Sequence, residues 1–290
     1  MRRRPKSELL VLAGLIAAGA ALRFATLGDR SFWVDEGLTV RLMHAPFGEM
    51  LHLWRQREDN PPLYYVVAWL WTRAFGSGEV GLRSLSALLG CATIPVAFAA
   101  TARLATVRAG LVAALLAAVS PLLVWFSQDG RSYALLVLLA GLSFLAFLRA
   151  REQPSGGRLA AWAVASAATL ATHYYSAFLI GAEALWLLAL HRRQRRVWAA
   201  VAVPAVVLGA LAPVAISQRS GGVAVFLRGS SLVSRAVQVP AQYVVGFQPP
   251  AQVAVSVLAF LGVVAAGWLL ATRTDARERA GAAVAGAVGL

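Results

Sequence analysis

The stretch LLVLAGLIAAGAALRFATL, residues 9–27, is a long apolar run whose only charged residue is Arg23. As a helix rising about 1.5 Å per residue, it nearly spans a hydrocarbon core of about 30 Å. The basic segment MRRRPK precedes it, and the positive-inside rule places that end in the cytoplasm. A cleavable signal peptide is the alternative, but the run is long and no small-x-small pattern closes it. We therefore predict an uncleaved span, with Arg23 extending toward the membrane interface.

The composition extends this interpretation to the whole chain. Hydrophobic residues make up 59% of the 290 positions and charged residues 14%, against about half and a quarter in soluble domains. The 27 basic residues exceed the 13 acidic ones, but they lie in short connectors, so we expect no nucleic-acid partner. Cys91 is the single cysteine and can form no intrachain disulfide. We predict an all-α, polytopic transmembrane helix bundle that forms one integral-membrane domain, residues 1–290.

Further apolar runs indicate the remaining helices. The run 159–190 is too long for one straight crossing, and we predict that it folds back near THYYS, residues 172–176. An incomplete run begins at Ala280, so we expect the chain to be C-terminally incomplete. The runs are Pro61–Phe75, Leu85–Ala102, Ala109–Phe126, Tyr133–Leu148, Leu159–Leu190, Val197–Ile216 and Val253–Ala271.

Charge predicts the topology of these runs only in part. The basic connectors HRRQRR (191–196) and RTDARER (273–279) should be cytoplasmic, which places the loop 217–252 outside. Between the first outside loop and residues 191–196 there are six segments, whereas an odd number of crossings is required. One segment must therefore be re-entrant or non-spanning, and the pattern does not identify it. The side of SQDGRSY, residues 127–133, stays open as a result.

The acidic residues concentrate in the first loop, residues 28–60. It holds six of the thirteen acidic residues and only four basic ones, and aromatic pieces suited to short interfacial helices flank it. Asp35 has two interpretations: it is the N-cap of a short helix, or it is a general base at the membrane surface. Asp59 stands just before a Pro-Pro pair that can start a helix. Both carboxylates lie near the interface and can converge on one site.

Five pieces of the chain occur in an order that resembles a known family. Over residues 10–190 they are similar to bacterial relatives of dolichyl-phosphate-mannose protein mannosyltransferases and lipid A aminoarabinose transferases, which are GT-C glycosyltransferases. The pieces are FWVDEGLT, NPPLYYVVAWLWTRAFG, GLRSLSALLG, SPLLVWFSQDGRSYALLVLL and THYYSAFLI.

This resemblance implies a polyprenyl-phosphate-linked sugar as donor and transfer on the extracytoplasmic face of the cell membrane. It maps the family's essential Asp-Glu pair onto Asp35 and Glu36. It also maps an acidic residue onto Asp59, while Asn60 stands where a Lys or His often precedes the prolines. The implied reaction is an inverting displacement with Asp35 as base and a protein, lipid or polysaccharide as acceptor.

The departing lipid phosphate needs positive charge. Two arginines at the membrane boundary, Arg83 and Arg131, are candidates, because a charged side chain in a membrane is energetically unfavourable and usually has a function. Snorkelling to the interface is the alternative for each. His173 could join Asp59 at a divalent metal, although a hydrogen-bonded turn residue is the simpler interpretation. A metal cofactor therefore stays undecided. A polytopic transporter and a non-catalytic, truncated relative are the alternative functions.

Overall fold

The computed structural model describes residues 6–219 and 275–288, with scattered positions between 242 and 272. Every regular element in these described ranges is a helix, as predicted. The predicted outside loop 217–252 and the run Val253–Ala271 fall largely outside the described residues. The helices are α1 (Lys6–Phe24), α2 (Val34–His44), α3 (Phe47–Arg57), α4 (Leu63–Phe75), α5 (Glu79–Leu104), α6 (Val107–Val119), α7 (Pro121–Ser127), α8 (Tyr133–Glu152), α9 (Gly156–Leu170), α10 (Ser176–His191), α11 (Arg195–Arg219) and α12 (Ala276–Val288).

Local chemistry explains where several helices begin and end. The Thr106 hydroxyl accepts a hydrogen bond from the Ala109 N–H at 3.2 Å and caps α6. Pro121 cannot continue α6, because it lacks an N–H, and instead occupies the first position of α7. The pair α6–α7 is consequently bent by 56°. Gly76 ends α4 at a φ of +82°, a conformation that favours glycine.

Among the described residues, four helices are individually long and apolar enough to cross a membrane, and α6–α7 is a fifth candidate if the bent pair forms one span. The four are α1, α5, α8 and α11. Helices α9 and α10 are shorter, with a break between Leu170 and Ser176. His191 at the end of α10 lies beside Arg151, which precedes α9, so the long apolar run 159–190 folds back near THYYS as predicted. The chain is a multi-pass membrane protein.

Polar contacts identify two ends of the bundle. At the end that carries the loop 28–60, called the loop end here, Gln128 Nε2 donates to the Leu22 carbonyl and to Thr26 Oγ1 at 3.0 and 2.8 Å. The previously undecided segment 127–133 therefore lies at the same end as the first loop. At the opposite end, His191 Nε2 lies 2.9 Å from the carbonyl oxygen of Arg151.

The non-spanning segment is α4. At its start, the Leu63 N–H donates to the Ala171 carbonyl at 2.9 Å. Near its end, Arg73 donates to the Met43 carbonyl at 2.6 Å. Both ends of α4 thus lie at the loop end, and its 13 residues span only about 20 Å. Between the first loop and the connector 191–196, the helices α5, α6–α7, α8, α9 and α10 then make five passes between the two ends of the bundle, which is an odd number.

Arg23 does not extend toward the interface, and that prediction was wrong. Its side chain is 1% exposed. It donates to the carbonyls of Ala117 and Ala118 at 2.7 and 2.9 Å and to Ser127 Oγ at 3.1 Å. These carbonyls lie in the last turn of α6, where the break before Pro121 leaves them without helical partners. Arg23 therefore joins α1 to the bent pair, which agrees with α1 being an integral member of the bundle.

A second buried polar group joins three helices in the core. Glu183 of α10 is fully buried and accepts hydrogen bonds from Ser143 Oγ of α8 at 2.5 Å and from Trp162 Nε1 of α9 at 2.7 Å. Ser143 Oγ also lies 3.4 Å from the hydroxyl of the buried Ser166, and hydrophobic side chains surround this group, so the Trp162 donor depends on the carboxyl for its hydrogen bond.

We expect Glu183→Ala to destabilise the bundle, because it leaves the Trp162 donor unpaired, at about 1–3 kcal/mol for a buried group, and removes one of the two partners of Ser143. Thermal unfolding of the purified protein in detergent measures the change. Glu183→Gln keeps an acceptor oxygen and should lose less, and the exposed Glu49→Ala is the control. Equal melting temperatures for Glu183→Ala and the control would contradict the role.

The topology can be checked with single cysteines in a Cys91→Ala background. An added Cβ at Gly48 or Gly78 meets no atom within 4 Å, so both positions accept cysteine. Because α4 returns to the loop end, we expect Gly48→Cys and Gly78→Cys to be labelled from the same side by an impermeant thiol reagent. Gln194→Cys should be labelled from the other side. Opposite labelling of positions 48 and 78 would show that α4 crosses.

Candidate active site

The acidic loop folds into α2 and α3, two short helices at the loop end. Helix α2 begins at Val34 after the N-cap residue Trp33, so Asp35 lies in its first turn and is not the N-cap. Instead, Glu36 Oε2 accepts from the Trp33 N–H at 3.4 Å. Among the described residues, none donates a hydrogen bond to the half-buried Asp35 carboxylate. The N-cap interpretation of Asp35 was therefore wrong, and its carboxylate is available for chemistry.

Glu36 is 1% exposed and forms a bidentate ion pair with Arg83 of α5. Arg83 Nε donates to Oε1 at 2.8 Å and Nη2 donates to Oε2 at 2.6 Å. The Gly130 N–H also donates to Oε1 at 2.8 Å. Glu36 therefore connects α2 to α5 and to the turn between α7 and α8, and its engaged oxygens favour a positioning role.

The remaining Arg83 donors are also engaged. Nη1 donates to the carbonyls of Leu27 and Arg30 at 2.9 and 2.7 Å, and Nη2 donates to the Ser31 carbonyl at 3.2 Å. With the two bonds to Glu36, all five N–H groups of the guanidinium have protein acceptors. The arrangement favours a structural role for Arg83 over contact with a phosphate.

Arg131, in the turn before α8, is engaged only in part. Nη1 donates to Glu58 Oε1 at 2.9 Å, to Thr39 Oγ1 at 3.2 Å and to the Asp35 carbonyl at 3.3 Å. Within residues 6–219, no protein group accepts from its Nε or Nη2. Its guanidinium carbon lies 6.0 Å from the centroid of the Tyr65 ring. Arg131 thus brings α2 and the end of α3 together while keeping donors for a ligand.

Glu58, which sequence analysis missed, is the carboxylate paired with Arg131. It is 2% exposed and also accepts from the Tyr65 hydroxyl at 2.5 Å. Burial raises the pKa of Glu58, and the charge of Arg131 opposes that shift. Glu58 and the adjacent Asp59 are both acidic, and they differ in that Glu58 is buried and Asp59 is exposed. No feature of the sequence predicted which of the two would be buried.

Asp59 is exposed at the start of the turn into α4. Partial burial raises the pKa of Asp59, the positive charge of Arg131 lowers it, and the charge of Asp35 raises it further. The convergence of Asp35 and Asp59 on one site stays a prediction.

A second missed residue is Asp129, which precedes Gly130 in the same turn. It is 3% exposed and accepts from Trp33 Nε1 at 3.2 Å. Burial raises the pKa of Asp129 to about 7, and the negative charge of Glu36 acts in the same direction. The Trp33 hydrogen bond and the positive charges of Arg131 and Arg83 lower the pKa and only partly offset this shift. Asp129 holds the aromatic residue that precedes the Asp-Glu pair.

His173 lies in the turn between α9 and α10. Its Nδ1 accepts from the Tyr175 N–H at 3.3 Å, and its ring lies beside those of Tyr133 and Tyr175. Burial lowers the pKa of His173. The described ranges contain no group of three or more His, Cys, Asp or Glu side chains that could hold a metal. A metal shared by His173 and Asp59 stays a prediction.

Comparison with known protein families assigns the chain. A model described as dolichyl-phosphate-mannose-protein mannosyltransferase matches residues 59–217, more than half of the chain. The chain belongs to this family. It is therefore a membrane glycosyltransferase of the GT-C type, as the five sequence pieces predicted, and this favours transferase over transporter. No curated protein matches the chain. The Asp35–Glu36 pair precedes the matched residues.

The raised pKa of Asp129 predicts a pH dependence of stability in this glycosyltransferase. Between about pH 4 and pH 7 the folded state holds a proton that the unfolded state has lost, so this carboxyl lowers the free energy of unfolding as pH rises. Asp129→Asn keeps an acceptor for Trp33 but cannot ionise, so its stability should fall less as pH rises. The melting temperature of each variant, measured between about pH 5 and 8, shows this difference. The exposed Asp29→Asn should keep the wild-type profile, and an unchanged profile in Asp129→Asn would contradict the assignment.

Proposed function

We propose that this glycosyltransferase moves a sugar from a polyprenyl-phosphate-linked donor to the hydroxyl of an acceptor at the loop end, with Asp35 as general base. The supporting observation is the Arg131 cluster, in which a partly engaged guanidinium donates to the Asp35 carbonyl and to Glu58 and its charge acts on the neighbouring Asp59. A base and a cation are the two groups that displacement of a lipid phosphate requires.

The reaction is a single in-line displacement. The acceptor oxygen attacks the anomeric carbon of the donor sugar, and the bond between that carbon and the phosphate oxygen breaks. The electron pair of the broken bond goes to the lipid phosphate, and the proton of the acceptor hydroxyl goes to the Asp35 carboxylate. Attack opposite the leaving group inverts the configuration at the anomeric carbon.

Arg131 supplies positive charge to the departing phosphate through Nε and Nη2. Its ion pair with Glu58 holds the guanidinium in place, so that little reorganisation is required when charge develops on the phosphate. Glu36 and Arg83 act as positioning residues, since their pair orients the helix that carries Asp35. Asp59 lies at the exposed side of the cluster, where it can accept a hydrogen bond from a sugar hydroxyl.

We further infer that the loop end faces the extracytoplasmic side of the cell membrane. The connector 191–196 lies at the opposite end of the bundle and is strongly basic, which favours the cytoplasm under the positive-inside rule. The lipid phosphate of a donor in the outer leaflet would then lie at the depth of the loop end.

We expect Asp35→Asn to lower transfer by about 10²-fold or more, because the amide keeps the size of the carboxylate but cannot take the proton. The measurement follows radiolabelled sugar leaving polyprenyl-phosphate donors in membranes of a deletion strain that expresses each variant. Asp29→Asn, an exposed acidic residue of the same loop, is the matched control. Near-full activity of Asp35→Asn would exclude Asp35 as the base.

The assay also tests Arg131 and the alternative of a non-catalytic relative. Arg131→Lys keeps one positive charge but loses the planar set of donors, so its transfer should fall while donor binding is retained in part. Arg83→Lys should instead lower thermal stability, because buried carbonyls of the first loop lose their donors. If the wild type moves no label from any polyprenyl-phosphate sugar, the non-catalytic alternative is favoured.

A further inference from the structure

An open cleft of about 460 Å³ lies at the loop end, beside the Arg131 cluster. It is formed by the last turn of α3, the turn that follows it, and the last turn of α11. Its volume is in the range of small-ligand sites. The described side chains that line it are all polar or charged, which is unusual for a chain that is 59% hydrophobic.

The cleft and the proposed reaction site share residues. Glu58 and Asp59 line the cleft, and Glu58 also pairs with Arg131 at 2.9 Å. A ligand in the cleft would therefore contact the residues that hold the guanidinium. A hydroxyl group at this boundary would lie next to Asp59 and near Arg131.

Gln218, on the α11 wall, carries an unused hydrogen-bond donor. The residue is 9% exposed, and its Oε1 accepts from the Tyr174 hydroxyl at 2.8 Å. Its buried Nε2 has no hydrogen-bond partner in the part of the chain that the structure describes. A buried amide donor is costly to leave unpaired, so a ligand oxygen is a favourable partner for it.

The charge on the α3 wall comes from Arg55 and Arg57. Both are exposed, and neither forms an ion pair within residues 6–219. Glu58 does not neutralise them, because its carboxylate is buried against Arg131. The two guanidiniums are therefore available for a carboxylate or a phosphate, which they can bind in bidentate geometry.

We propose that this cleft binds the acceptor, and that the acceptor is a carbohydrate that carries a carboxylate or a phosphate. The proposal rests on the proposed function and adds the chemical class of the acceptor. An isoprenoid chain is bound by apolar side chains, whereas the described side chains around the cleft are polar or charged. The cleft therefore suits the polar acceptor better than the lipid chain of the donor. Arg55 and Arg57 select its negative charge, and Gln218 and Asp59 bind its oxygens and hydroxyls.

The test measures sugar binding to the full chain in nanodiscs of phosphatidylcholine, a lipid with no net charge, without any donor. Glucuronic acid and glucose 6-phosphate are the anionic probes, and glucose is the neutral one. Tryptophan fluorescence reports binding, since Trp54 precedes Arg55 and its Nε1 donates to the Asn60 carbonyl at 2.8 Å. We expect at least one anionic probe to bind about tenfold more tightly than glucose. The separate carboxylate and phosphate probes identify the preferred group.

The double variant Arg55→Gln/Arg57→Gln should lose this preference, whereas Arg41→Gln, an exposed arginine on α2 away from the cleft, should keep it. Gln218→Leu should weaken the binding of all three sugars, because it removes the amide hydrogen-bond donor without changing the charge of the cleft. Asp29→Asn, an exposed acidic residue of the first loop outside the cleft, should bind the anionic probe like the wild type. The assay contains no donor and measures no transfer, which separates this inference from the choice of base. Equal binding of glucose and both anionic probes, or an unchanged preference in the double variant, would overturn the proposal even if Asp35 is confirmed as the base.

Discussion

The buried ion pair between Glu36 and Arg83 is the constraint on which the loop end depends. One guanidinium donates to the carboxylate of α2 and to carbonyls of the segment that leads into α2, while the same carboxylate accepts from the Gly130 N–H. These bonds fix the positions of three separate parts of the chain relative to one another. A buried pair of this kind adds little net stability, because both charges lose their hydration, but breaking it leaves one charge uncompensated. Its effect is therefore to specify geometry, and the geometry it specifies is that of the helix carrying Asp35.

Two arginines of the loop end show how hydrogen-bond saturation separates structure from function. Every donor of Arg83 has a protein acceptor, so the residue can accept no ligand without losing a buried bond. Arg131 uses Nη1 on three acceptors and keeps other donors for a ligand. Both arginines are largely buried and lie at the same end of the bundle. Only the count of their partners distinguishes the positioning residue from the candidate for phosphate contact.

The short helix α4 explains how a membrane enzyme can assemble such a site at one surface. Because α4 returns to the loop end, residues 28–78 form a continuous platform of three helices before the chain crosses again along α5. The platform carries both carboxylates, and the turn before α8 contributes Arg131 to it from another crossing. A lipid donor can approach such a site from the bilayer and a polar acceptor from water, which matches the polar lining of the cleft beside Asp59.

The sequence by itself determined the helical class, the short helices of the first loop, the break near THYYS and the family, because apolar runs, prolines and ordered motifs are local signals. It also indicated Asp35, Asp59 and Arg131 as candidates for one site. Only the tertiary structure decided that α4 does not cross, that Arg23 is buried against α6, and that Glu58 is the partner of Arg131. Adjacent residues such as Glu58 and Asp59 carry the same charge in the sequence, and their different roles arise from burial and from partners tens of residues away. Such long-range contacts leave no periodic pattern in the sequence, so they could be found only in the folded chain.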